Sequence, residues 1–266
     1  MRKLYLVMLC AAVLFNTWTV NLLAQNGESK GQLFSVYEEV IKPSMVEKYE
    51  AAVKEFVAEI SKHKLAVPFI RTSMRDDFHY YFVIPVENLA DAENIDKAFG
   101  EVVKRVGDEQ WQALEKKFDG TSAYHINFMA RKMTDLSYAP ENPRLKPEEI
   151  SFLHWDFYYL QAGKVKEASA IAKEYVALMK GKNIPDGYDI YLGEMGTEMP
   201  LLVVVQWARN AAEFYGQTEK TNELLGEAGK KLGARALAIT RKFQHINGKA
   251  RPDLSYFPEK EMTAKE

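Results

Sequence analysis

His154 and Asp156 are the two side chains whose types and spacing are best suited to chemistry. They lie two residues apart in the segment FLHWDFYYL (152–160), which alternates as a β-strand does. Residues i and i+2 of a strand share one face and lie about 7 Å apart, so both can contact one ligand. A neutral imidazole can then act as a base or as a ligand donor beside a carboxylate. The alternative is a buried polar pair that neighbouring strands and Tyr37 satisfy.

Strand alternation also predicts which residues accompany this pair. In FLHWDFYYL the larger apolar set is expected to meet the helices, and the other set to face a cavity. The resulting aromatic surface with a few polar groups is typical of a small-molecule site. His79 and His125 are weaker candidates, since each is equally well explained as a satisfied core or edge histidine. The full set of predicted pocket residues is His154, Asp156, Tyr158, Ser35, Tyr37, Glu39, His79 and His125.

Several chemistries are disfavoured. His154, Asp156, Glu39 and Glu194 offer ligand atoms, but no local spacing such as H-x-x-x-H is present, so the sequence predicts no metal site and no cofactor. A Gly-rich phosphate loop and a G-x-S-x-G elbow are also missing from the sequence, which argues against phosphoryl transfer and triad hydrolysis. The net charge of −2 does not suggest nucleic acid as a partner, because nucleic-acid binders carry a basic face.

Residues 1–24 have the pattern of a signal peptide. Two cations precede an apolar run, and a polar-leaning stretch then leads to Ala24. The alternative is a retained anchor, but Asn16, Thr17 and neighbouring polar residues interrupt the run too early for a spanning helix of about 20 apolar residues. We therefore predict an exported protein, periplasmic or secreted, with no stable membrane span after cleavage. Cys10 is the single cysteine, so the mature chain would fold without disulfides.

One six-residue phrase occurs twice, as DLSYAP at 135–140 and DLSYFP at 253–258. KEFV at 54–57 and KEYV at 173–176 repeat at nearly the same offset. These matches predict two copies of one folding unit, at 32–140 and 151–258, with a proline-containing linker at 141–150 and a disordered tail at 259–266. Because Asp, Ser and Pro favour turns, the phrase is interpreted as a turn that closes each unit.

Each unit has the pattern strand, helix, two strands, helix, strand. In the first unit Asp76 and Asp77 form a hairpin turn, and the second helical stretch, 91–118, is expected to break near Gly107. In the second unit the last strand, within ALAITRKFQHI (236–246), can also be interpreted as a continuation of the preceding helix. The order βαββαβ is the ferredoxin-like order, with both helices on one face of an antiparallel sheet. The fold class is therefore α+β, with two tandem ferredoxin-like units packed sheet to sheet.

A duplicated βαββαβ unit of this length resembles the dimeric α/β-barrel superfamily, which includes antibiotic-biosynthesis-type monooxygenases and NIPSNAP-like proteins. The resemblance covers residues 33–258 and concerns the fold; no catalytic motif of a subfamily is matched. It implies an intramolecular pseudo-dimeric barrel, often enclosing a small apolar or aromatic ligand, in a monomer or homodimer. Three functions remain open: an exported small-molecule-binding protein, with or without catalysis, a cofactor-independent oxygenase-like or haem-handling enzyme, and an interaction module of the cell envelope.

Overall fold

The computed structural model describes residues 31–258. The predicted signal peptide (1–24) and tail (259–266) lie outside the described residues. The first half of the chain contains β1 (Gln32–Ile41), α1 (Val46–Lys62), β2 (Arg71–Arg75), β3 (His79–Val86), α2 (Asp91–Val106), α3 (Asp108–Glu115) and β4 (Ser122–Lys132). The second half contains β5 (Phe152–Leu160), α4 (Val165–Gly181), β6 (Tyr188–Gly193), β7 (Leu201–Ala208), α5 (Ala211–Ala238) and β8 (Thr240–Ala250).

The strands close into one antiparallel barrel in the order β1-β3-β2-β8-β5-β7-β6-β4. Each half supplies four neighbouring strands, as the ferredoxin-like order requires. The halves meet at two short seams, where β2 pairs with β8 and β4 pairs with β6. At the first seam the backbones approach so closely that a Cβ on Gly248 would lie 2.1 Å from the Met74 carbonyl oxygen. The predicted fold class, two ferredoxin-like units packed sheet to sheet, is confirmed.

The helices lie outside the barrel because each has one apolar face. In α1 the buried positions Tyr49, Ala52, Val53 and Ile60 recur at helical spacing and face the sheet of the first half. Gly107, with φ of 91°, separates α2 from α3 at the predicted break, since this backbone conformation favours glycine. In α5, Gly226 interrupts the helical dihedral angles and kinks the helix. Among residues 31–258, no helix combines the length and apolar character that a membrane crossing needs.

The two copies of the DLSY phrase each bind the opposite half of the chain. Ser137 accepts a hydrogen bond from the backbone N–H of Ile190 on β6 at 2.9 Å. Ser255 accepts one from the backbone N–H of Thr72 on β2, also at 2.9 Å. Each serine hydroxyl also donates to a carbonyl oxygen of its own half, that of Met133 or Arg251, so the phrase closes its own unit and in addition joins the two halves.

The segment 141–150 is anchored to the second half. Arg144 forms ion pairs with Asp186 at 2.7 Å and with Glu213 at 2.5 Å, and Leu145 is buried. A short 3-10 helix, Pro147–Glu149, leads into β5. The connection between the halves is therefore held in place by charge pairs and one apolar contact.

Candidate functional site

The face assignment predicted for β5 is wrong. Leu153, Trp155 and Phe157 pack in the barrel interior against residues from the other half, including Phe34 and Tyr81. His154, Asp156 and Tyr158 lie on the outer face, toward α4 and α5. Alternation separates the two faces of a strand, but both faces of this barrel are covered by apolar groups, so the larger aromatic set did not identify the helix side.

The predicted interior and exterior faces of β1 are exchanged in the same way. Phe34 and Val36 face the barrel interior, whereas Leu33 and Ile41, at the opposite parity, pack against the helix layer. Ser35, Tyr37 and Glu39 share the outer face with those two residues. Glu39 accepts a hydrogen bond from the Ser122 hydroxyl at 2.7 Å, and the Tyr37 ring is largely exposed. The predicted pocket residues of β1 therefore do not line the barrel.

Register brings two residues of β8 beside the predicted pair on β5. His245 is the cross-strand partner of Asp156, and Asn247 is the partner of His154. All four side chains lie on the outer face and form a group that we name the outer-face cluster: His154, Asp156, His245 and Asn247. One potential ligand atom each from His154, Asp156 and His245 lie within 4.8 Å of one another.

Both ring nitrogens of His154 have hydrogen-bond partners. Nδ1 lies 2.7 Å from Oδ1 of Asn247, and Nε2 lies 3.2 Å from Oδ1 of Asp156. Burial lowers the pKa of His154, but the hydrogen bonds to Asp156 and Asn247 and the Asp156 charge outweigh burial, so the net shift is upward. Nearby, burial and then the Asp156 charge raise the pKa of Tyr158.

Helix α5 covers one side of the cluster with aromatic rings. Phe214 stacks on the His154 imidazole, with ring centroids 4.6 Å apart and 28° between planes. The Tyr215 hydroxyl lies 3.0 Å from Nδ2 of Asn247 and accepts its hydrogen bond. Asn210 caps the helix by accepting a hydrogen bond from the Glu213 N–H, which fixes the first turn that carries both rings. On the β8 side, the Phe243 ring lies 6.0 Å from His245.

An open groove of about 510 Å³ lies on α5 and is lined by residues of that helix alone, of which Tyr215 also contacts Asn247 of the cluster. His245 is exposed, and within residues 31–258 no hydrogen-bond partner contacts its imidazole. The cluster thus has a buried, fully bonded histidine on one side and an accessible one on the other. The residues that line the groove are Tyr215, Thr218, Glu219, Asn222, Glu223, Gly226 and Lys230.

His79 faces the barrel interior, on the opposite side of the sheet from the cluster. Its Nδ1 lies 2.5 Å from Oε1 of Glu38, which is buried. Arg75 completes this group by donating to the Tyr81 hydroxyl at 2.8 Å, and it also pairs with Asp77. His79, Glu38, Arg75 and the Tyr81 hydroxyl thus each have a hydrogen-bond or ion-pair partner. The arrangement is a network of buried polar groups whose hydrogen bonds are satisfied.

Residues 31–140, the described part of the first half, have no equivalent of the outer-face cluster. The pairing register shifts at matching points of the two halves, between Val40 and Ile41 on β1 and between Tyr159 and Leu160 on β5. Counting back from these shifts makes Ser35 and Tyr37 the counterparts of His154 and Asp156. Asn127, the cross-strand partner of Tyr37, is the counterpart of His245. His125, on β4, instead pairs with Glu39 of β1 and is exposed on the outer face.

Sequence reasoning missed His245, Asn247 and Tyr215. The signal for the first two was present in HIN (245–247), where alternation places His245 and Asn247 on one strand face. The pairing register between β5 and β8 places His245 and Asn247 beside His154, and the sequence does not show that register. Tyr215 lies on α5, whose position over the sheet the strand pattern does not specify.

Comparison with known proteins identifies the fold. No protein-family model matches the chain, and no curated protein matches it. An anthrone oxidase-like protein of known structure is 12% identical, with a TM-score of 0.55 over 84% of this chain and 92% of that one. A mutant chlorite dismutase from Candidatus Nitrospira defluvii is 10% identical, with a TM-score of 0.51 over 84% and 92%. At such identities the likeness shows the fold alone, that of the dimeric α/β-barrel proteins.

Proposed function

We propose that this protein is an oxygenase-type enzyme that oxidises a small planar organic molecule at the outer-face cluster. The observation that carries the proposal is the convergence of His154, Asp156 and His245 within 4.8 Å on the outer face of β5 and β8. Convergent polar groups with aromatic neighbours are the usual composition of an active site. The fold shared with an anthrone oxidase-like protein supports the reaction class by analogy.

The surroundings of the cluster favour a planar substrate that carries a hydroxyl or an enolisable ketone. Phe214, Tyr215 and Phe243 present aromatic surface on two sides of the polar groups. Imidazole nitrogen and carboxylate oxygen atoms can accept a proton from such a group, and His245 is the accessible member. An aromatic ketone with an acidic methylene group combines both requirements.

Such a substrate can be oxidised by dioxygen without an external reductant. The cluster removes a proton from the methylene carbon or from its enol, and the resulting anion supplies electrons to dioxygen. The overall change is R₂CH₂ + O₂ → R₂C=O + H₂O, in which one oxygen atom enters the product and the other leaves as water. The four electrons come from the methylene carbon, so the balance requires only substrate and dioxygen.

Two other functions have weaker support. Ligand binding inside the barrel is disfavoured because Phe34, Tyr81 and Trp155 pack together in the interior with aliphatic neighbours. Haem ligation by His154 does not fit the described residues, since the imidazole is buried and Phe214 stacks on one of its faces, where a porphyrin would need room. Ligand binding at the outer-face cluster without catalysis remains the alternative, and turnover distinguishes the two.

The test uses anthrone as the probe substrate with an oxygen electrode and product analysis by absorbance and mass. We expect the wild-type chain to consume one dioxygen per carbonyl formed. His245→Asn should lower kcat/KM by about 10²-fold or more, in the range of a lost general base. His245 is exposed, so this variant should fold normally.

His125→Asn is the matched control, because it replaces an exposed outer-face histidine on the corresponding strand of the first half. Its turnover should equal that of the wild type. Equal turnover in His245→Asn and wild type would remove the cluster from the reaction. Anthrone binding to the wild type without oxygen consumption would favour the binding protein instead.

Export and duplication are further parts of the proposal. The order of charge, apolar run and small residue in 1–24 supports export, and N-terminal sequencing of the protein from a periplasmic or culture fraction tests cleavage after Ala24. The repeated phrases and the matching strand orders support an origin by tandem duplication. Expression of 151–258 alone tests this history, because a descendant of a one-unit ancestor should assemble as a symmetric dimer.

A further inference from the structure

We propose that His154, Asp156 and His245 bind one divalent transition-metal ion. This inference rests on the proposed function, because it assigns a metal to the site where the substrate would be oxidised. Two imidazoles and one carboxylate that occupy one face of a metal ion, with the other positions open, are a known ligand set for non-haem iron oxygenases. With His245 as a ligand, such an ion would stabilise the substrate anion as a Lewis acid, in place of proton transfer to that imidazole.

The positions of the ligand atoms are close to those that a metal requires. Ligands about 2.1 Å from a metal in tetrahedral or octahedral geometry are about 3.0–3.4 Å apart. Nε2 of His154 and Oδ1 of Asp156 already lie 3.2 Å apart. All three ligand atoms lie within 4.8 Å, so a shift of about 1.5 Å brings His245 into range. A side-chain rotation of this exposed residue supplies that shift.

Backbone pairing, rather than local sequence spacing, fixes the three ligands. His154 and Asp156 lie on one face of β5, and Asp156 and His245 are register partners between β5 and β8. Sites on strands hold their ligands more rigidly than sites on loops do. This explains why the sequence contains no H-x-x-x-H or similar spacing.

The cluster also has the supporting contacts that orient a ligating histidine. Asn247 accepts a hydrogen bond at Nδ1 of His154, so Nε2, which faces Asp156, is the nitrogen whose proton a metal would replace. Tyr215 accepts in turn from the Asn247 amide at 3.0 Å, so the amide oxygen is held toward the ring. Phe214 stacks on the imidazole and fixes its plane. The imidazole is therefore held in one tautomer and one orientation.

The donor set favours Fe²⁺, Co²⁺, Zn²⁺ or Mn²⁺ over Ca²⁺ and Mg²⁺, because imidazole suits transition metals and the two latter ions prefer oxygen ligands. The first half of the chain provides an internal contrast. Its counterparts of the three ligands are Ser35, Tyr37 and Asn127, which lack both imidazole and carboxylate groups. We therefore expect one metal ion per chain.

The test titrates Co²⁺ alone into the chelator-treated full chain and follows the visible absorption of the bound ion. The wild type should show one saturable site per chain and a rise in Tm with Co²⁺. His245→Asn and Asp156→Asn should each weaken Co²⁺ binding at least about 10-fold. Asn247→Ala should weaken it about 10–100-fold, as loss of an outer hydrogen-bond partner does. His125→Asn should bind as the wild type does, and circular dichroism of each variant reports its folding.

Absence of saturable Co²⁺ binding, or equal affinity in wild type and folded His245→Asn, would overturn the metal site. The dioxygen assay with anthrone is run separately on chelator-treated protein. Turnover without Co²⁺ binding leaves the proposed function standing and removes the metal. Co²⁺ binding at these residues without any anthrone oxidation supports the metal and removes the proposed reaction.

Discussion

The serine hydroxyls of the two DLSY turns are expected to carry much of the stability of the contact between the halves. Ser255→Ala removes the acceptor of the Thr72 N–H, and Thr72 is 1% exposed. It also removes the donor to the Arg251 carbonyl oxygen at 2.8 Å, but that oxygen keeps a second bond from the Leu254 N–H. The free-energy cost therefore arises mainly at one buried donor.

An unsatisfied buried donor costs about 1–3 kcal/mol. We expect Ser255→Ala to lower the free energy of unfolding by about 2 kcal/mol. Ser137→Ala should cost about 1 kcal/mol, because Ser137 is partly accessible and water can replace part of its bond to Ile190. The two sites share no partners, so the double variant should lose about 3 kcal/mol by addition.

Urea unfolding followed by circular dichroism measures these losses. With an m-value of about 2–3 kcal/mol/M, the Ser255→Ala midpoint should fall by about 0.7–1 M. Ser73→Ala is the matched control on β2, since no hydrogen bond of its hydroxyl occurs among the described residues, and its midpoint should be unchanged. A Ser255→Ala midpoint equal to that of Ser73→Ala would refute the argument that this hydroxyl joins the halves.

Three other changes test the fold. Gly248→Ala should lower the free energy of unfolding by about 1–3 kcal/mol, because the new Cβ would meet the Met74 carbonyl oxygen. Gly216→Ala is the control, since a Cβ there would point into open space on α5, and in the same thermal melt it should be neutral or stabilising. Tyr188→Phe should leave the free energy of unfolding unchanged or raise it by about 1 kcal/mol, because the buried hydroxyl has no partner among the described residues. Tyr138→Phe is the control, since it removes a hydrogen bond to the Ile184 carbonyl oxygen. An equal loss of stability in the two variants would contradict this prediction. Hydrogen bonds from Arg251 hold the pKa of Asp253 at about 2 and lower that of Glu50, so this stabilisation is present above the ordinary carboxyl pKa near 4 and is lost as the pH falls through about 2. Urea titrations at pH 7, 4 and 2.5 should show that the free energy of unfolding depends less on pH in Arg251→Gln than in the wild type. Parallel pH dependences in the two proteins would contradict a stabilising role of these ion pairs.

Most elements of the fold were predictable because their signals are local. Period-two alternation located β1, β3, β5 and β7, and the break at Gly107 was marked by a residue that tolerates positive φ. The end of α5 was not predictable in the same way. Ala, Leu and Arg residues continue the helix to Ala238, so the first residues of 236–246 are helical and β8 begins only at Thr240.

The candidate site was predictable only in part. His154 and Asp156 were identified because residue types and strand alternation are visible in the sequence. Their direction was inverted, since a strand covered on both faces gives no polarity difference that separates interior from exterior. His245 is far from both in sequence and reaches them only through the β5–β8 register.

The sequence by itself determined the order of strands and helices, the alternation of each strand and the presence of a histidine–carboxylate pair, because these depend on neighbours a few residues apart. Tertiary structure decided which strand face is enclosed, which half each DLSY turn binds and which distant side chains complete the cluster. Those outcomes depend on barrel closure and on pairing register, which bring together residues such as Thr72 and Ser255 that share no local pattern.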